Sequence, residues 1–254
     1  MSHILITGAS SGIGQALAEY YAAPGAILSL HGRNLDRLNA VAENCRARGA
    51  EVATLTCDVA ERDAVEGWIG ERDAAHPLDI VIANAGLSAG TGGGGETDEQ
   101  TRRIFASNID GVANTVLPAI ARMRPRRRGH ISIMSSLAGF RGMPGAPAYS
   151  ASKAAVRVWG EALRGALVAD GIGVSVICPG FVRSGMTKLN RFHMPFLMDA
   201  PKAAAIIARG ISANKGRIAF PWPMMALVWL AAALPDGIAH RVTRTLPAKD
   251  PAPI

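Results

Sequence analysis

Ile4-Leu-Ile-Thr7 leads straight into Gly8-Ala-Ser-Ser-Gly12-Ile-Gly14, and a helical pattern follows from Gln15 to Tyr21. That order reads as strand, glycine turn, helix. Glycines let a backbone turn tightly and approach a pyrophosphate, and the unpaired N–H groups at a helix start supply partial positive charge. Gly8, Ser10, Ser11, Gly12, Ile13 and Gly14 are therefore candidate nucleotide contacts. The spacing is G-x-x-x-G-x-G, not the commoner G-x-G-x-x-G dinucleotide fingerprint. A glycine-rich loop that binds nothing has the same composition, so the turn by itself leaves both readings open.

Working outward, strands are predicted near residues 3–7, 26–31, 51–57, 79–83, 129–135, 173–178 and 216–220, with amphipathic helical patterns between them. Such alternation pairs strands in parallel through right-handed crossovers and puts ligands outside the carboxyl ends of the strands. With 254 residues and 28 glycines the chain can bury one α/β core, so residues 1–254 are read as a single domain. Cys45, Cys57 and Cys178 stand far apart with no C-x-x-C, which predicts reduced thiols, and the six histidines show no zinc-ligand spacing. No metal site is expected. The first strand begins at residue 3 with no secretory signal pattern before it, which predicts a cytoplasmic protein. The longest apolar stretch, Met224 to Leu234, has eleven residues, against the roughly 20 a spanning helix needs.

Tyr149-Ser-Ala-Ser-Lys153 follows Ser136 by thirteen residues. On a helix, residues four apart share a face, so an ammonium at 153 favours the phenolate at 149. A phenol of ordinary pKa about 10 then becomes usable as an acid or base nearer neutrality. Taken alone, Tyr and Lys four apart are equally an ordinary surface pair.

The glycine turn and the Y-x-x-x-K step together resemble the short-chain dehydrogenase/reductase family, in its branch of about 250 residues. The likeness runs from residue 3 to about residue 187. It includes Thr7 to Gly14, Asp58 closing the third strand, Asn84-Ala85-Gly86, Asn108, Ser136, Tyr149, Lys153 and Pro179-Gly-Phe-Val-Arg-Ser184. The resemblance implies one Rossmann-type, doubly wound parallel sheet of about seven strands with helices on both faces. It implies a catalytic tetrad of Asn108, Ser136, Tyr149 and Lys153 that interconverts a ketone and a secondary alcohol by hydride transfer with a nicotinamide cofactor. Tyr149 would give or take the hydroxyl proton, Ser136 would hydrogen-bond the substrate oxygen, Lys153 would bind the nicotinamide ribose, and Asn108 would hold a relaying water. Asp58 and Val59 would meet the adenine, Asn84, Ala85 and Gly86 would line the adenosine ribose, and Pro179, Gly180, Val182 and Ser184 would hold the nicotinamide. A non-catalytic cofactor-binding sensor is the rival reading, and within enzymes a 3-oxoacyl carrier-protein reductase is the alternative.

Cofactor choice turns on His31-Gly-Arg33-Asn34, after the second strand. An acidic residue there would accept hydrogen bonds from the ribose hydroxyls of NAD; this chain offers Arg33, whose guanidinium fork suits a 2′-phosphate. NADP(H) is expected to be favoured over NAD(H), although Ser11 brings no basic side chain to the glycine turn; the alternative for Arg33 is a solvated helix-start residue.

Residues 1–180 contain 17 Lys+Arg and 17 Asp+Glu, whereas residues 181–254 contain 10 and 3, so the whole +7 lies in the last 74 residues. Residues 1–180 are read as the cofactor-binding and catalytic core, and 181–254 as a substrate lobe and tail. That lobe also carries Phe192, Met194, Phe196, Leu197, Met198, Trp222, Met224, Met225 and Trp229, which suggests an anionic amphiphile as substrate. The alternative is that these residues are core and the charges a solvated surface. After Gly216-Arg-Ile-Ala-Phe220 the chain departs from the family pattern, running Pro-Trp-Pro into an apolar segment and a helical stretch with Arg241 and Arg244. A homo-oligomer, dimer or tetramer, is expected. The apolar helical tail could cap the substrate, pack on a partner, or lie peripherally on the inner face of a membrane. Gly90 to Gly95 reads as a linker loop beside the cleft. Arg122-Met-Arg124-Pro-Arg-Arg-Arg128 reads as a solvated turn and not a nucleic-acid patch, since no aromatic residues interleave with it.

Overall fold

The computed structural model of the chain describes residues 2–88, 95–188, 192–235, 237, 238 and 241. Seven strands form one parallel sheet in the order β3-β2-β1-β4-β5-β6-β7. They are β1 Ser2–Ile6, β2 Ala26–His31, β3 Glu51–Leu55, β4 Ile80–Ala83, β5 Gly129–Met134, β6 Ile172–Pro179 and β7 Arg217–Phe220. Each coincides with a predicted strand to within two residues at either end. The order reverses between β1 and β4, the point at which sheets of this kind take ligands beyond the carboxyl ends of the strands.

Helices cover both faces. α1 Gly12–Tyr21, α2 Leu35–Ala47, α3 Arg62–Ala75, α4 Asp98–Phe105, α5 Gly111–Met123, α6 Pro147–Ala166, α7 Gly185–Lys188, α8 Ala200–Ser212 and α9 Trp222–Ala233 follow in chain order. The period of two along each strand divides the core. Ile4, Ile6, Ile82 and Ile177 point to one layer with Leu17, Leu38 and Ile207 from α1, α2 and α8. Leu5, Val81, Ile131, Ile133 and Val174 point to the other, against Trp68, Val116 and Val156 from α3, α5 and α6. Both faces of the central strands are thus buried, as their near-continuous aliphatic runs require.

Two local departures have simple causes. β3 stops at Leu55 and not residue 57, because the chain turns there: Asp58 Oδ1 accepts from Ala60 N at 3.0 Å and Glu61 Oε1 accepts from Asp58 N at 3.0 Å. α1 starts at Gly12 and not Gln15, so the last glycines of the turn belong to its first turn.

The arginine cluster 122–128 is a set of staples. Arg124 pairs with Asp170, Arg126 with Asp73 and Arg128 with Asp79, each at 2.8 Å. Arg126 also donates to the Leu78 carbonyl at 2.8 Å, tying the turn before β5 to the turn before β4. The helical run Asp98–Met123 is long and apolar enough by composition to cross a membrane, but half of its most apolar stretch is buried inside the fold. Gly90 to Gly94 of the predicted linker, Arg244, and all but a few residues of the chain beyond 235 lie outside the described residues.

Candidate active site

The glycine turn is shaped by its neighbours. Thr7 Oγ1 accepts from the backbone N–H groups of Asn84 and Ala85 at 3.1 and 3.2 Å, and Asn84 Nδ2 donates to the carbonyls of Thr7 and Gly8 at 2.9 and 3.2 Å. Asn84 therefore braces the turn with the amide that the family likeness assigned to the ribose edge. Gly8 and Gly12 have φ of +69° and +59°, a region that side chains other than glycine adopt at a cost. A Cβ on Gly8 would lie 2.8 Å from the Ala85 Cα, and one on Gly12 would lie 3.0 Å from the Ser184 Cβ. Ser11 caps α1 without a side-chain hydrogen bond, and no acidic residue stands in the first turn. This is a helix start with no side-chain cap and no acidic neighbour, which fits a pyrophosphate.

At the end of β2, Arg33 is exposed and its Nη1 lies 3.9 Å from Asp58 Oδ2, a loose surface pair of small energetic consequence. His31 is buried beneath the turn, with Nε2 3.2 Å from the Cys57 carbonyl and no partner for Nδ1. Burial lowers its pKa, so it is a neutral plug. Val59 is buried behind Asp58, and its carbonyl accepts from Asn114 Nδ2 at 3.1 Å.

The four candidate tetrad residues converge from three places: Asn108 from a turn, Ser136 from the end of β5, and Tyr149 and Lys153 from α6. Asn108 sits in a π-helical turn, Ala106–Asp110, between α4 and α5. Its Oδ1 accepts from Leu87 N at 2.7 Å, while Nδ2 donates to the Leu87 carbonyl at 2.9 Å and to Ser152 Oγ at 3.0 Å. Ser152 in turn donates to the Tyr149 carbonyl at 2.8 Å. Ser136 follows β5, where its Oγ accepts from Ala138 N at 3.1 Å, lies 3.5 Å from the Pro179 carbonyl and hydrogen-bonds Tyr149. Lys153 is buried, with Nζ 5.9 Å from the Tyr149 ring centroid and donating to the Met134 carbonyl at 2.9 Å. A Cβ on Gly86 would lie 3.0 Å from Asn108 Oδ1 and 3.3 Å from Lys153 Nζ, so only glycine leaves that approach open.

The electrostatics differ from the sequence expectation. Burial raises the Tyr149 pKa, and the Ser136 hydrogen bond pulls against that rise. The same burial brings the Lys153 ammonium down to about 8, and its Nζ is engaged by the Met134 carbonyl. A dry pocket disfavours both charged forms.

Supporting residues escaped the sequence reading. Ser135 Oγ donates to the Lys153 carbonyl at 2.7 Å, and Glu96 Oε2 accepts from Ala148 N at 2.8 Å, capping α6 from 52 positions away where Ala146 provides no side-chain cap. Serines inside a helix are disfavoured by propensity, so Ser150 and Ser152 in α6 carried a usable signal; Glu96 carried none.

The apolar residues after 181 divide between core and surface. Met198 packs on one core layer, Met224 and Met225 pack near Leu137 and Cys178, and the Phe192 ring meets Phe181 edge-on at 5.9 Å. Phe196, Trp222 and Trp229 are exposed. Among the described residues no three His, Cys, Asp or Glu side chains gather into a metal site.

A family model described as short chain dehydrogenase matches residues 2–194. An uncharacterized oxidoreductase of Myxococcus xanthus is 39% identical over 243 residues, covering 95% of this chain and 96% of that protein. Among solved structures, a short-chain dehydrogenase from Sphingobium yanoikuyae in complex with NADPH superposes with a TM-score of 0.82 at 27% identity, over 99% of both chains. A short chain dehydrogenase/reductase from Burkholderia phymatum in complex with NAD gives a TM-score of 0.82 at 25% identity, over 100% of this chain and 98% of that one.

Proposed function

The chain belongs to the short-chain dehydrogenase/reductase family, and from that premise we propose that it is an oxidoreductase of CH–OH groups, interconverting a hydrophobic ketone and its secondary alcohol, with NADP(H) preferred. The convergence of Ser136, Tyr149 and Lys153 on one pocket carries the reading. A non-catalytic sensor would have no use for a phenol and an ammonium buried side by side.

The glycine turn, the open approach at Gly86 and the bare start of α1 fit a nicotinamide dinucleotide. Gly8, Ser10, Ser11, Gly12, Ile13 and Gly14 would hold its phosphates. Arg33, Asp58 and Val59 would take the adenosine end, with Asn84, Ala85 and Gly86 at the ribose edge. Pro179, Gly180, Val182 and Ser184 would take the nicotinamide. When bound, the cofactor supplies or accepts the hydride. In the reductive direction the Tyr149 hydroxyl donates its proton to the substrate oxygen, and that phenol is reprotonated through Lys153. Ser136 orients the oxygen and stabilises its developing charge. Asn108 holds the pocket wall through Leu87 and Ser152, the place from which it would position a relaying water. On the same reading the protein works in the cytoplasm as a homo-oligomer, with residues 1–180 as its cofactor-binding and catalytic core. Residues 181–254 form the lobe that receives an apolar, anionic substrate.

The test is titration with NADPH and NADH by nicotinamide fluorescence, followed by a screen of apolar ketones with the preferred cofactor. Binding of either cofactor with turnover that Tyr149→Phe abolishes supports the reading; turnover that survives in Tyr149→Phe overturns the assigned acid.

A further inference from the structure

The helix at the rim of this site presents a second binding surface. α9 reads Trp-Pro-Met-Met-Ala-Leu-Val-Trp-Leu-Ala-Ala-Ala from Trp222 to Ala233, with no charged side chain along about 18 Å of helix. Helical spacing puts Met224, Met225 and Val228 on one side, and these pack near Leu137 and Cys178. The opposite side is bare: Trp222, Leu227, Trp229 and Leu230 are 78%, 62%, 63% and 58% exposed, and no residue of α9 is buried. A contiguous apolar face of this kind marks a contact surface.

Charge selects what covers it. Residues 181–254 carry 10 Lys+Arg against 3 Asp+Glu, while the rest of the chain is balanced. A second copy docked through the same lobe would bring a like-charged lobe against it. An anionic bilayer supplies both an apolar interior and the opposite charge, and indole rings favour the headgroup level.

We propose that α9 docks the protein on the surface of a bilayer containing anionic lipid, with its outer face at the boundary between headgroups and acyl chains and its inner face on the protein. A Cβ on Gly180 would meet Met224 Sδ at 2.8 Å, so the helix lies directly against the segment assigned to the nicotinamide. Docking therefore holds that segment one helix away from the membrane surface. The contact is independent of the reaction assigned above, since vesicle binding is read without cofactor or substrate.

The experiment is co-sedimentation of the full chain with vesicles of phosphatidylcholine alone or mixed with phosphatidylglycerol, at low and high salt, beside the variant L227Q/W229Q/L230Q. The expected result is binding to the anionic vesicles that is at least tenfold weaker on neutral vesicles and in the variant. The variant should keep wild-type NADPH titration and elution volume. In the wild type, brominated acyl chains should quench tryptophan emission, which tests the contact even if the variant misfolds. Absence of binding to anionic vesicles, equal binding by a folded variant, or absence of quenching overturns the proposal. A smaller oligomer for the variant in lipid-free buffer also overturns it, and assigns the face to a second copy.

Discussion

Tyr149 and Lys153 are set by one cause acting on two groups. Burial raises the phenol and lowers the ammonium to about 8, so the charged form of each is disfavoured relative to water. Tyr149→Phe keeps the ring and removes the proton, so turnover should fall by about 10²-fold or more with NADPH binding nearly unchanged, as read by steady-state kinetics and fluorescence titration. Arg33, exposed and only loosely paired with Asp58, has little structural work to lose. Arg33→Ala should weaken NADPH by about tenfold or more and NADH little, since a charge-assisted contact to phosphate contributes about 1.5–3 kcal/mol. Equal effects on both cofactors would remove Arg33 from the 2′-phosphate assignment. The spacing of Tyr149 and Lys153 was legible in the chain; the dryness of their pocket was not, because it depends on Met134, Gly86 and Asn108 from three distant segments.

At the scale of elements, α6 carries two of the tetrad residues and starts without a local cap. Glu96, which precedes α4, supplies one. Glu96→Ala should cost about 1 kcal/mol in denaturant unfolding, the usual value of a lost N-cap, and should lower kcat more than it changes the KM for cofactor. Glu96→Gln retains an acceptor oxygen and should recover most of both losses. The π-helical turn at 106–110 acts likewise: it turns Asn108 inward, where its amide ties Leu87 beyond β4 to Ser152 on α6. Strand positions were readable because aliphatic runs end at turn residues. Glu96 was not, since its partner lies 52 residues away with no periodic relation to it.

For the whole molecule, pH stability follows from buried titratable groups spread across the fold. Cys45, Cys57 and Cys178 are each raised to about 11, so their thiol forms stabilise the fold fully below pH 9, and that contribution is lost as pH rises from about 9 to 11. His130 is lowered to about 4, and His3 and His31 are also lowered, all by burial. The unfolded chain therefore takes up protons first as pH falls below about 6.5, and stability drops from there toward pH 4. Lys153 opposes the alkaline loss, since its lowered pKa makes stability rise between about pH 8 and 10. The expected profile under reducing conditions is a plateau between about pH 6.5 and 9 with losses of several degrees in melting temperature on both sides. About 1 kcal/mol moves the midpoint by about 2–4 °C in a domain of this size. A melting temperature that keeps rising above pH 9 would contradict it.

The sequence by itself determined the alternation of strands and helices, the glycine turn, the order and spacing of the candidate tetrad residues, and the concentration of charge and apolar residues after residue 181. These are properties of local period and composition, and adjacent residues suffice to express them. Only the tertiary structure decided which of those apolar residues are covered and which face outward, that the arginine run is spent on Asp73, Asp79 and Asp170, and that Asn84 braces the turn. It also decided that burial raises the Tyr149 phenol, with the Ser136 hydrogen bond pulling against that rise. Burial and pairing depend on what other segments bring to the same point in space, and a linear pattern does not contain that information.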